Sequence, residues 1–221
     1  MKKNVPILAA ALVLAACGGS QEANEANFKK ALAQSEEGRY VCLLLTLDVV
    51  MPDGQHATRH TVIGEPVLQY AGRDAQGKEI NKAAAKQVEI LVKEGFYAKE
   101  QPEQKQADQN ESGGGKQPAG ILSFHLTEKG MEQARATPSS PWFCLGGQKI
   151  RKINWFTTPT PDNGVTVSEV SYQAEIAPEK WADKLIQAGG KEWEYLREPY
   201  DRTATLVQTN LGWKDMRDLG R

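Results

Sequence analysis

The chain offers little to chemistry: three histidines, three cysteines and a few clusters of hydroxyls and carboxylates. His56 and His60 stand four apart in "HATRH". On a helix that spacing can hold zinc, but the segment lacks the glutamate of H-E-x-x-H that would act as general base. Its flanks also read as strand or loop. Ser139 and Ser140 lie in a proline-flanked stretch, and no serine has G-x-S-x-G around it. "DQNESGGGK" has glycines and a lysine but not the spacing of a phosphate-binding loop. "DNG", Asp162 to Gly164, reads as a hairpin turn, since a calcium loop would need further ligands and a closing glutamate. Acid pairs such as Glu192 and Glu194 are too common to carry meaning alone. The expectation is no catalytic residue, no metal site and no cofactor.

The third cysteine asks a different question. Lys2 and Lys3 open the chain, Asn4 to Ala16 is mostly apolar and uncharged, and Cys17 follows, then Gly18 and Gly19. A basic start and an apolar run of this length read as an export signal. The run is short of the roughly 20 residues that span a bilayer. Leu14-Ala15-Ala16-Cys17 resembles the lipobox of bacterial lipoprotein signal peptides. That resemblance, confined to about the first 20 residues, implies cleavage before Cys17, a diacylglyceryl group on its thiol and usually an acylated amino terminus. Several chains are needed for firm anchoring, because one gives only reversible binding. Gly18 stands where an aspartate would imply retention in the inner membrane, so the outer membrane is expected. An ordinary signal peptide with an incidental cysteine is the alternative.

Export bears on Cys42 and Cys144. In an oxidising compartment an even pair bonds, and neither a C-x-x-C nor a histidine cluster suggests another role. The expectation is a Cys42–Cys144 disulfide closing a loop of about 100 residues, which loop-closure entropy values at nearly 5 kcal/mol as an upper figure. Two free thiols with a redox or metal role are the alternative.

Without its first 16 residues the 221-residue chain keeps 205, and loss of Lys2 and Lys3 takes the formal charge from −1 to −3. Near-neutrality argues against a general nucleic-acid partner or a strongly basic membrane face. The length suits a real core in one or two domains. Trp142, Trp155, Trp181, Trp193 and Trp213 all fall in the C-terminal part, where burial would make most of them core.

The elements follow from periodicity and punctuation. Residues 18–24 are small and polar, a short tether. Residues 25–37 read as a helix with Phe28, Ala31 and Leu32 on one face, ended by Gly38. Residues 40–50 read as a buried strand carrying Cys42, and "MPDG" at 51–54 as a turn. Residues 55–79 give no clear pattern. Residues 81–94 form the clearest helix, capped by Asn81, lined by Ala84, Ala85, Val88, Leu91 and Val92, and closed by Gly95. A strand at 96–99 precedes residues 100–120, which lack any large apolar side chain and should be a mobile loop. A strand at 121–126, a helix capped by Thr127 and a connector at 137–141 follow. Beyond it come strands at 142–145, 149–156, 165–176 and 203–209, the second and third antiparallel across "TTPTPDNG". A helix at 178–188 turns Trp181, Leu185 and Ile186 inward, a short helix resumes to Leu196, and "NLGW" at 210–213 is a turn.

"AAAKQVEILVKEGFYAKE", a long polar tip and "ILSFHLTEKGMEQA" together resemble the end of a bacterial winged-helix domain, with the wing tip swollen into 100–120. In DNA-binding relatives the corresponding helix enters the major groove. Here it offers Lys82, Lys86, Gln87, Glu89, Lys93 and Glu94, whose charges nearly balance, so no electrostatic footprint develops. The expected fold class is α+β, a winged-helix-like N-terminal part packed on a C-terminal antiparallel sheet with a helix. The map is signal peptide 1–16, lipidated terminus and tether 17–24, winged-helix-like part 25–137 and β-rich part 138–221. The expected function is a lipid-anchored, non-catalytic envelope protein binding a protein, cell-wall or small-molecule partner. A periplasm-facing enzyme whose site assembles only in the fold is the alternative, and DNA binding is disfavoured. The chain also resembles uncharacterised proteobacterial envelope proteins, a likeness that implies no activity.

Overall fold

The computed structural model describes residues 19–58, 61–100, 120–137 and 140–219. Cys17, His60, Ser139 and nearly all of the expected mobile loop at 100–120 lie outside the described residues. The architecture is α+β: N-terminal helices and strands pack against a C-terminal curled antiparallel sheet.

Helix α1, Glu25–Gln34, starts at Asn24, whose side chain accepts from Asn27 N at 2.9 Å, and a short α2, Glu36–Arg39, follows it. Phe28, Ala31 and Leu32 are buried, as their spacing predicts. The expected strand at 40–50 is broken into β1, Val41–Leu43, and β2, Leu45–Thr46. These pair with different partners. β2 joins β3, Val62–Ile63, while β1 leaves to join the large sheet. The "MPDG" turn forms as read, with Gly54 N donating to Met51 O at 2.9 Å.

β4, Val67–Ala71, precedes helix α3, Lys82–Lys93. Ala84, Val88 and Leu91 are buried on α3's inner face as expected, and Gln87 joins them. Asn81 is not the expected cap. It sits in the left-handed region at φ 56° with no capping bond, and its side chain instead donates to Val50 O and Ala71 O and accepts from Val50 N, each at 2.7 Å. A tertiary clamp on two neighbouring segments displaces the local bond. β5, Tyr97–Lys99, and β6, Ile121–Leu126, complete a three-stranded sheet of order β4-β6-β5. Thr127 caps α4, Glu128–Gln133, accepting from Gly130 N at 3.1 Å, as its sequence implies.

Of the expected connector at 137–141, the described residues 137, 140 and 141 are in paired strands. β7, Ala134–Thr137, pairs with β8, Ser140–Phe156, a single 17-residue strand where two shorter ones are expected. β9, Thr160–Asp162, turns through Asn163 and Gly164 into β10, Val165–Pro178, confirming "DNG" as a hairpin turn. Both turn residues have positive φ, 47° and 84°, the backbone that Asn-Gly favours in a two-residue hairpin. Helix α5, Lys180–Gly189, buries Trp181, Leu185 and Ile186 as predicted, and a 3-10 helix, Gly190–Arg197, follows. β11, Tyr200–Thr209, and β12, Gly212–Asp215, close the sheet, whose order is β1-β8-β10-β11-β12 with β7 on β8 and β9 on β10.

Two hydrophobic cores result. In one, α1 lays Phe28, Ala31 and Leu32 on Val170, Tyr172, Ala204, Leu206 and Trp213 of the sheet. In the other, α3, α5 and the small sheet enclose Phe143 and Leu145 of β8. There Phe96, Phe143 and Trp181 meet edge to face, with centroids 4.8 to 5.8 Å apart. One aromatic from the small sheet's side, one from β8 and one from α5 thus join the two parts of the chain.

Candidate functional site

The expected disulfide is present. Cys42 and Cys144 are register partners in β1 and β8, with α-carbons 3.8 Å apart. The bond pins a short edge strand to the long central one, and a groove of about 520 Å³ opens beside it. Its walls are Val41, Cys42 and Leu43 of β1, with Tyr40, Trp142, Arg135 and Arg202.

Strand alternation explains this meeting. Trp142 is two residues before Cys144 and shares its side of β8. Arg135 of β7 is the register partner of Trp142 on β8's other edge. Its guanidinium carbon lies 4.2 Å from the Tyr40 ring centroid, so Arg135 spans β8 to stack on an aromatic beside β1. Arg202 comes from β11. It stands two residues before Ala204 and opposite Tyr172, on the face that α1 covers. Tyr40 and Trp142 are 48 % and 42 % exposed; Trp155 and Tyr195 are also exposed elsewhere on the surface, whereas Trp181, Trp193 and Trp213 are buried.

The groove has two aromatic faces, two guanidiniums and no acidic side chain among its lining residues. Guanidinium forks hold carboxylates and phosphates in two-point contact, and flat aromatic faces stack on rings. Its volume is that of a small-ligand site. The arrangement is suited to holding an anion that carries a ring. It contains no nucleophile paired with a base.

Three further hollows are less suited. Between α3 and α5 lies one of about 490 Å³ where Lys86, Lys93 and Lys184 are interspersed with Glu89 and Glu94. Another, of about 270 Å³, adjoins Asp215, whose carboxylate is already held by Arg217 at 2.9 and 2.7 Å. A third, of about 470 Å³, opens beside Tyr70, Arg73 and Lys82, with Lys82 3.7 Å from Glu79.

Of the histidines, His56 lies 3.4 Å from Asp48 with both side chains largely exposed, and no hydroxyl or thiol hydrogen-bonds to it among the described residues. His125 is exposed on β6. No three His, Cys, Asp or Glu side chains converge as a metal would need among the described residues. Glu192 and Glu194 sit exposed on the 3-10 helix. Sequence reading missed Tyr40, Arg135, Trp142 and Arg202. Trp142 and Tyr40 were within reach, each two residues before a cysteine of the expected bond. No family model matches the chain, and neither the curated proteins nor the solved structures contain a significant match to it.

Proposed function

We propose that the chain is an exported, lipid-anchored and non-catalytic protein of the bacterial outer membrane. Cys17 carries the acyl groups, and the groove beside Cys42–Cys144 holds an anionic, sugar-bearing fragment of the cell wall. The stacking of Arg135 on Tyr40 beside exposed Trp142 carries the reading. A saccharide ring packs on the aromatic faces, and Arg135 takes a carboxylate. The disulfide holds Tyr40 and Trp142 at fixed spacing before the ligand arrives, which lowers the ordering cost of binding.

The winged-helix likeness is a likeness of topology. It is supported by α3 leading into the β5–β6 hairpin and by β6 returning to pair with β4. Only α3 stands between β4 and β5, where a helix-turn-helix would need two helices. The charge balance along α3 keeps DNA out of the reading.

Titration calorimetry of the full chain with soluble, carboxylate-bearing cell-wall fragments is the test. Saturable binding is expected, weakened about tenfold by Trp142→Ala or Arg135→Ala, which corresponds to about 1.4 kcal/mol. No binding by the wild type, or binding by both variants as tight as that of the wild type, rejects the groove. Recovery of the fragment cleaved would favour the enzyme alternative. Mass spectrometry of the membrane-extracted protein tests the anchor independently, since Cys17 should carry the acyl mass.

A further inference from the structure

Residues 19–22 of the segment read as a tether are docked on the fold. Trp213 Nε1 donates to Gln21 O at 3.1 Å and to Glu22 O at 3.2 Å, and Gln208 Nε2 donates to Gln21 O at 2.8 Å. Gln21 Nε2 returns a bond to Asn210 O at 3.4 Å. From α1, Asn27 Nδ2 donates to Gly19 O at 3.0 Å and to Glu22 O at 2.9 Å. Ser20 lies so close to Gly212 that a β-carbon there would stand 3.0 Å from Ser20 O. The chain therefore enters the fold against the β11–β12 turn. Cys17 is two residues before Gly19, and two extended residues reach at most about 7 Å. Any membrane attachment at Cys17 holds this end of the sheet at the lipid surface.

That end carries two exposed apolar side chains among the polar Asp162, Asn163 and Asn210 of its turns. Leu211, at the tip of the turn, is 76 % exposed, the most of any large apolar side chain among the described residues. Val165, 43 % exposed, begins β10 at the same end, because Thr166 pairs with Gln208. No binding role in the groove uses either residue. We propose that Leu211, with Val165 beside it, seats in the surface of the bilayer that holds Cys17, so that the protein stands on its membrane in a fixed orientation. This rests on the reading of Cys17 as the anchor. One consequence concerns the groove. Arg202 is seven residues up β11 from Thr209, about 23 Å at strand rise, and β1, β7 and the start of β8 lie beyond the far end of β10, at Pro178 and Gly146. The orientation turns Tyr40, Trp142 and Arg135 away from the lipid.

The experiment uses the lipidated full-length protein in vesicles of phosphatidylethanolamine and phosphatidylglycerol. Single cysteines at Leu211→Cys, Val165→Cys and, as a distant reference, Lys180→Cys are labelled with an environment-sensitive fluorophore. Acylated Cys17 and the bonded Cys42 and Cys144 leave the introduced thiol as the target. The expected result is a blue-shifted emission at 211 and 165, quenched several-fold more by lipid-borne nitroxide than at 180. If the protein floats with the vesicles but 211 and 165 are no better quenched than 180, the seating is wrong and the anchor stands. If the wild type does not float and carries no acyl mass, the anchor fails and the seating fails with it.

Discussion

Cys42 and Cys144 face one another across β1 and β8, 102 residues apart in sequence and 3.8 Å apart at their α-carbons. β1 is only three residues long, too short to hold its place on backbone bonds alone. The bond therefore secures both the edge of the sheet and one wall of the groove. Reduction, or Cys42→Ser, should lower stability by about 2–5 kcal/mol. Urea unfolding of the oxidised protein should show one transition, because Phe96, Phe143 and Trp181 tie the small sheet, β8 and α5 into one core. Two separate transitions would show that this aromatic contact does not couple the parts.

Tyr97 sets an alkaline limit. Its side chain is buried, and its hydroxyl donates to Glu65 O at 2.8 Å and accepts from Gly64 N at 2.9 Å. Burial pushes the phenol far above its ordinary 10.0; the bond from Gly64 opposes the shift, and the nearby Glu65 carboxylate adds to it. The unfolded phenol ionises near pH 10 while the folded one stays protonated. Its stabilisation is thus complete below pH 10 and is lost as pH rises toward the folded value. Tyr70, also raised by burial and then by Glu89, adds a second contribution of the same sign. Stability should be flat from pH 7 to 9 and fall above 10. Tyr97→Phe should cost about 1–3 kcal/mol at neutral pH, by leaving Gly64 N–H without its acceptor, and should make the alkaline fall shallower. An unchanged slope in the variant would mean that Tyr97 is not the group responsible.

Asn81 separates local from tertiary roles. Its left-handed backbone suits asparagine or glycine, and its amide clamps Val50 and Ala71. Asn81→Gly should lose the clamp and keep the backbone, at about 1–3 kcal/mol. Asn81→Ala should lose both and cost roughly 1 kcal/mol more. Equal effects in denaturant midpoints would show that the left-handed conformation carries no weight.

What the sequence made legible was whatever repeats along one element with one wet face. Phe28, Ala31 and Leu32, or Trp181, Leu185 and Ile186, give three or more samples of a helical period, and β10 gives several of an alternating one. β2, β3, β7, β9 and β12 have two to four residues each, too few to display a period. Thr137, Ser140 and Pro141 read as parts of a connector because the Pro and Ser of that stretch are turn signals, yet all three lie in paired strands. Asn81 misled because its side chain satisfies tertiary partners that local sequence does not reveal. The groove was hidden for the same reason. Tyr40, Arg135, Trp142 and Arg202 lie on four segments, and only the register of β1, β7 and β11 against their neighbours brings them together.

Gly212 tests how the chain enters the fold. It has φ +107°, a conformation that side chains with a β-carbon rarely adopt, and the added carbon would stand 3.0 Å from Ser20 O and 3.2 Å from Ser20 Cβ. Gly212→Ala must therefore distort the β11–β12 turn, displace residues 19–22 or do both. Backbone strain of this kind costs about 1–3 kcal/mol. The cost should concentrate at the terminus, because Trp213 Nε1, Gln208 and Asn27 hold that segment only while it lies against the turn. Amide exchange in Glu22 and the start of α1 should accelerate, while exchange in β10 stays slow. Asn27→Ala, which removes the bonds to Gly19 and Glu22 without touching the turn, should accelerate exchange at the same residues. If Gly212→Ala loosens β10 and leaves Glu22 protected, the turn matters to the sheet and the terminus is held by something other than Gly212.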